Sequence, residues 1–151
     1  MKRFLSIAAL TFFSIIMASA QERLTISVDA PEGLEQENAV TTLTSNLRQA
    51  LVLNDAASDG SRFVLQTQVA ILSTDITRTA PSMFVTELEI SLAVKDTVSH
   101  DILSQTSFTV KGISDNEKSS IKDAVRKVKA RDPKLRTLIN QAKQYFEEHI
   151  Y

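Results

Sequence analysis

Between residues 62 and 112 the chain makes three strand-length runs in which every other side chain is apolar, crossing two turns and ending at Gly112. In the first run Phe63, Leu65, Val69 and Ile71 alternate with Gln66, Gln68 and Ala70. The second sets Phe84, Leu88, Ile90, Leu92 and Val94 against Glu87, Glu89, Ser91 and Lys95, and the third sets Ile102, Phe108 and Val110 against Gln105, Ser107, Thr109 and Lys111. A period of two held through three runs is the pattern of an antiparallel sheet with one dry face and one wet face. The odd-numbered residues of 63–71 and the even-numbered residues of 84–94 and 102–110 are therefore expected to face the core.

On either side the period changes. Leu24-Thr25-Ile26-Ser27-Val28 alternates as a short strand, and Asp29-Ala30-Pro31-Glu32-Gly33 stops it, because proline has no donor and Gly33 permits a turn. From about Leu34, Ala39, Val40, Leu43, Leu47, Ala50 and Leu51 form one helical stripe that Asn54 and the polar stretch Asp55–Ser61 close. After Gly112, Ser114 and Glu117 have the spacing of a capping box, and Ile121, Ala124, Val125 and Val128 continue as a helical stripe. Asp132-Pro133 starts a last helix lined by Leu135, Leu138, Ile139, Ala142, Tyr145 and Phe146 and running close to Tyr151. The expected class is α+β in the order β-α-β-β-β-α-α, one mostly antiparallel sheet with helices packed on one face. Thr74–Ser82 is expected to be a long connection, and the stretch from Asp96 to Asp101 a hairpin turn.

The first twenty residues read as an address. Met1-Lys2-Arg3 is a positive start, Phe4–Met17 is mostly apolar, and Ala18-Ser19-Ala20 fits the small-x-small site of signal peptidase. The apolar run is shorter than the roughly 20 residues a membrane-spanning helix needs. A cleaved signal peptide over 1–20 and a single domain over 21–151 are expected, in the periplasm or outside the cell. No cysteine occurs anywhere, so neither a disulfide nor a lipid anchor on cysteine is available. The formal charge of −1 is unevenly placed: residues 21–110 carry five basic and twelve acidic side chains, and residues 111–143 carry ten basic and four acidic.

Phe108-Thr109-Val110-Lys111-Gly112, Asn116-Glu117 opening a helix, Asp132-Pro133 and a terminal Tyr together resemble a family of small exported bacterial proteins. More distantly, the element order resembles the α/β modules of envelope lipoproteins: the periplasmic part of the curli secretion channel, the N-terminal domain of the Tol translocation protein and the activators of penicillin-binding proteins. The resemblance implies work by contact with other proteins. Without the lipidated cysteine, membrane tethering does not carry over.

Catalytic chemistry finds little support. Neither a cysteine nor a G-x-S-x-G nucleophile is present, and the two histidines, His100 and His149, have no partners at catalytic spacing. Ser99, His100 and Asp101 are adjacent, and adjacent side chains point apart. Glu87 and Glu89 lie two apart on the wet face of the middle run, about 7 Å from each other, a spacing that suits acid–base work or ordinary exposed charge. Asp55, Asp59 and Gly60 lack the alternating ligands of a calcium loop. With three glycines in the chain there is no phosphate loop, and no cofactor or metal is expected.

The strongest polar signal is basic. At 100° per residue Lys118, Lys122, Arg126 and Lys129 fall within about 80° on the first C-terminal helix, with Arg131, Lys134 and Arg136 beyond. Such a stripe suits an acidic protein, an anionic envelope surface or plain solvent. The export signal and the lack of aromatic residues for stacking argue against nucleic acid. The sequence thus points to a non-enzymatic interaction module, with a carboxylate-dependent hydrolase or a self-assembling subunit as alternatives.

Overall fold

An amphipathic sheet buries its apolar face only where a second layer covers it, and among the described residues three helices form that layer. The computed structural model describes residues 23–150, so the expected leader lies outside the described residues. In chain order the elements are β1 (Ile26–Val28), α1 (Glu37–Leu53), β2 (Phe63–Ile76), β3 (Phe84–Asp96), β4 (Ile102–Ser114), α2 (Glu117–Val125) and α3 (Pro133–His149). This is the expected β-α-β-β-β-α-α order. The strands form one sheet in the order β1-β2-β3-β4. β1 pairs with β2 in parallel across the α1 connection, and the other two pairs are antiparallel hairpins.

The central strand follows the period most closely, because it has a neighbour on each side and helices on one face. Thr86, Leu88, Ile90, Leu92, Val94 and Asp96 are all buried, while Val85, Glu87, Glu89, Ser91, Ala93 and Lys95 are half-buried on the other face. In β2 the odd-numbered residues are buried through Val69, although Val64 on the other face is buried too, and beyond Val69 the parity fails. Ile71 pairs with Leu88 on the covered side yet is 49% exposed. The register shifts between Ile71 and Ser73, and β2 runs on to Ile76 beyond the reach of β1 and the covering layer. In β4 the parity fails at the start. The register shifts between Val94 and Lys95, which places Lys95 opposite Ile102 and Val94 opposite Ser104. A bulge inserts one residue and turns the strand beyond it. Ile102 is therefore exposed and Leu103 buried, contrary to the expected alternation.

Helix ends correct three further expectations. α1 begins at Glu37, after Glu35, and its N-cap Gln36 makes no side-chain cap bond. α2 is capped by Asn116, whose Oδ1 accepts from the Ser119 N–H at 2.8 Å, while Ser114 still belongs to β4. The asparagine prevails because Ser114 is already committed to the β3 ladder opposite Phe84. α2 then stops at Val125, so Val128 is buried outside the helix, where its carbonyl accepts from Asn46 Nδ2 at 3.0 Å. Asp132 caps α3 as expected, accepting from the Lys134 N–H at 2.9 Å with Pro133 in the first turn.

Two glycines set distances between layers. Gly33 has φ +90, and a Cβ there would lie 2.0 Å from the Val69 carbonyl oxygen, so the segment after β1 rests directly on β2. Gly112, within β4, meets α2: an added Cβ would lie 1.9 Å from the Ser120 carbonyl oxygen and 2.4 Å from the Ala124 nitrogen. Beside it the buried hydroxyls of Thr86 and Ser120 bond at 2.6 Å.

Register can be tested directly. Leu88 and Ile90 are fully buried, so Leu88→Ala and Ile90→Ala should each cost about 2–5 kcal/mol by denaturant titration. Glu87→Ala, on the uncovered face, should change stability by less than about 1 kcal/mol. Equal midpoints for the three variants would place the strand in the other register.

Candidate functional surface

The four residues of the basic stripe lie on one continuous segment but not on one helix. Lys118 and Lys122 are on α2, Arg126 is its C-cap, and Lys129 sits in the connection to α3. The helix tightens and ends here, with the Lys127 N–H bonding to the Ala124 carbonyl and the Val128 N–H to the Val125 carbonyl. Lys118, Arg126 and Lys129 are exposed and Lys122 is half-buried. Ion pairs among the described residues join Arg23 to Asp55, Arg62 to Asp96 and Lys111 to Glu87, and none involves the stripe.

Two more lysines reach the outer edge of β4, which no strand among the described residues covers. Lys127 Nζ donates to the Lys111 carbonyl, and Lys134 Nζ donates to the Ser107 carbonyl at 3.1 Å and lies 5.2 Å from the centre of the Phe108 ring. Asp123 accepts from the Ile113 N–H at 2.9 Å on the same strand. Side chains thus occupy backbone groups that an incoming strand would need, which guards this edge. No periodicity announces these contacts, since they require α2, the connection after it and the start of α3 to lie along β4. At the opposite side of the sheet, β1 and Glu32 cover β2 only as far as Val69. Beyond it Ile71, Leu72 and Ile76 are exposed.

Among the described residues no element covers the sheet face away from the helices. Gln66, Gln68, Glu89, Ser91, Ala93, Gln105 and Ser107 are among the residues lining a shallow trough of ≈ 510 Å³ on it. Glu89 borders that trough, but Glu87 turns to Lys111, its partner across the β3–β4 ladder, at 3.7 Å. The two carboxylates therefore stand in different settings. Ser99 donates to Asp96 at 2.9 Å, away from His100, whose φ of +66 belongs to the hairpin turn. His149 stacks on Tyr145 at 4.2 Å at the end of α3. Thr74–Ile76 are part of β2, so the expected long loop shrinks to a hairpin tip after Ile76, where Thr77 Oγ1 accepts from the Met83 N–H at 2.9 Å. No group of three His, Cys, Asp or Glu side chains placed to hold a metal ion occurs among the described residues.

The most constrained charge was not singled out by the sequence. Asp96 is fully buried at the end of β3 and takes two hydrogen bonds from Arg62, at 2.8 and 2.6 Å. It also accepts from the Val98 N–H and the Ser99 hydroxyl, both at 2.9 Å. The Arg62 hydrogen bonds, against the opposing effect of burial, hold the Asp96 carboxyl well below the usual carboxylate range, with the Val98 and Ser99 bonds adding to this. The pair ties the β3–β4 turn to the start of β2. Its signal in sequence was only two opposite charges 34 positions apart.

No protein-family model matches the chain, and no curated protein matches it. Solved structures do. The chain is similar to a minor lipoprotein from Acinetobacter baumannii, with 11% identity over 78% of this chain and 94% of that one, at a TM-score of 0.52. It is also similar to a Xanthomonas campestris protein of the DUF330 family model, with 13% identity over 87% and 90% of the two chains, at a TM-score of 0.50. A structure described as a lipoprotein from Caulobacter crescentus gives 13% identity over 82% and 91%, also at 0.50. At such identities the likeness is one of fold: this α+β arrangement is one that bacterial lipoproteins use.

Proposed function

We propose that this chain is an exported, non-enzymatic interaction module of the bacterial cell envelope, delivered to the periplasm or beyond after removal of residues 1–20. Its working surface is the basic segment of α2 and the α2–α3 connection, with Lys118, Lys122, Arg126 and Lys129 contacting another protein or an anionic envelope component. One observation carries this reading: ten basic side chains gather within residues 111–143, and among the described residues only Lys111 of them meets a carboxylate within ion-pair distance. Uncompensated charge of one sign raises the local concentration of an oppositely charged partner and speeds encounter. The fold likeness to bacterial lipoproteins supports the envelope setting of this reading.

The test reverses two charges, Lys122→Glu with Arg126→Glu, in a tagged chain and compares what it captures from envelope extract. Partner capture should be lost at low salt while the thermal midpoint stays nearly unchanged, because Arg126 is exposed and the half-buried Lys122 is in no ion pair among the described residues. Wild-type capture should weaken as salt is raised, since charge reaches only about 8–10 Å near physiological ionic strength. The recovered chain should have a mass that begins at Gln21. Recovery of the same partners by the double variant would assign the stripe to solvent.

A further inference from the structure

The sheet carries opposite charge at its two edges. On the β1 side, the segment after β1 lies along β2: the Asp29 N–H bonds to the Leu65 carbonyl, and Glu32 exchanges bonds with Thr67 and Val69. Asp29, Glu32, Glu35 and Glu37 are all exposed there, with no basic residue anywhere from Leu24 to Leu47. None of the four is in an ion pair among the described residues. A groove of ≈ 270 Å³ opens beside them, lined by Asp29, Ala30, Glu32, Gln66, Thr67 and Gln68. Two of its six lining residues, Asp29 and Glu32, are acidic. On the β4 side, Lys127 and Lys134 hold their ammonium groups against the strand edge. An ammonium has three donors, so each keeps two free after its carbonyl bond.

These two sets cannot satisfy each other within one chain. Three strand spacings separate β1 from β4, roughly 14 Å, which exceeds the reach of charge near physiological salt. A second copy supplies the complement of both edges at once. We infer that the protein self-associates head to tail, the Lys127–Lys134 edge of one copy docking on the Asp29–Glu32 edge of the next. Because β4 is guarded, the contact runs through side chains, not through a continuous ladder. The exposed Ile71 and Leu72 lie just beyond the acidic edge and add apolar area to it. Such a contact is heterologous, so it closes into a ring or continues as a chain according to the angle between copies. This rests on the reading of the protein as a contact module, and it names the partner of the β4 edge as the protein itself.

The experiment uses purified protein alone, so it is independent of capture from extract. Sedimentation velocity at about 20 mM salt should show mass rising with concentration, and at about 500 mM salt a return to monomer. Asp29→Lys with Glu32→Lys, and separately Lys127→Glu with Lys134→Glu, should each remain monomeric. Mixing the two variants should restore association, because each then offers what the other lacks. In the unmodified protein, a zero-length carbodiimide cross-linker applied to mixed light and heavy isotope copies should join Asp29 or Glu32 of one copy to Lys127 or Lys134 of another. That arm does not depend on any variant folding. Monomer at every concentration in low salt, or cross-links joining other surfaces, overturns the proposal and leaves the stripe's role in capture to stand on its own test.

Discussion

Replacing Gly112 by alanine should cost about 4 kcal/mol or more and leave little folded protein at 37 °C. Overpacking a core usually costs about 1–3 kcal/mol because side chains can shift aside. Here the added methyl meets the Ser120 carbonyl oxygen at 1.9 Å and the Ala124 nitrogen at 2.4 Å, both of them backbone. Relief requires α2 to lift from β4. That movement would break the buried Thr86–Ser120 hydroxyl bond and loosen Ile121, Ala124 and Val125 from the core. Gly60→Ala is the natural control, because a Cβ there meets nothing within 4 Å, although its φ of +68 adds the modest strain of a left-handed alanine. Circular dichroism and urea titration of the two variants should separate a collapse at position 112 from a small shift at position 60. Similar midpoints would mean that α2 does not pack as described.

The second large effect is the acid dependence carried by Asp96. Its carboxyl is held below the usual range in the folded chain, chiefly by the two Arg62 hydrogen bonds, whereas in the unfolded chain it titrates near about 3.9. A group depressed on folding stabilises the protein fully above its unfolded value and loses that contribution as pH falls towards the folded one. Stability should therefore decline below about pH 4 with a component that belongs to this residue. Asp96→Asn should cost about 3 kcal/mol at neutral pH, since it removes charge-assisted bonds to a half-exposed arginine and strains the acceptors of the Val98 N–H and the Ser99 hydroxyl. It should also flatten the acid limb. Denaturation midpoints of both proteins from pH 7 to pH 2 test this, and parallel curves would show that Asp96 is not the titrating group.

Both positions show where local pattern stops informing. Gly112 looked like the end of a strand, and in sequence nothing marks a glycine that must admit a helix eight to twelve residues later. Arg62 and Asp96 carry opposite charges 34 positions apart, and their pairing follows from the β2–β3 register and not from spacing. The basic stripe was legible as a cluster, yet its reading as a single helical face assumed that α2 continues to Lys129. The turn bonds at Lys127 and Val128 end the helix at Val125 and give Arg126 and Lys129 separate settings.

What the sequence determined by itself was the set of elements and the faces of the longest ones. Period two in β3, period 3.6 in α1 and α3, and the Asp132-Pro133 start of α3 are local demands, met by neighbours a few residues away whatever the rest of the chain does. The tertiary structure alone decided where those periods break. A bulge at each end of the hairpin system inverts Ile102 against Leu103 and strands Ile71 beyond the covered face, because sheet twist and the limited span of β1 and the helices are properties of the whole layer. It also decided which edge is guarded and which is acidic, since both depend on segments far apart in sequence coming to lie along opposite sides of one sheet.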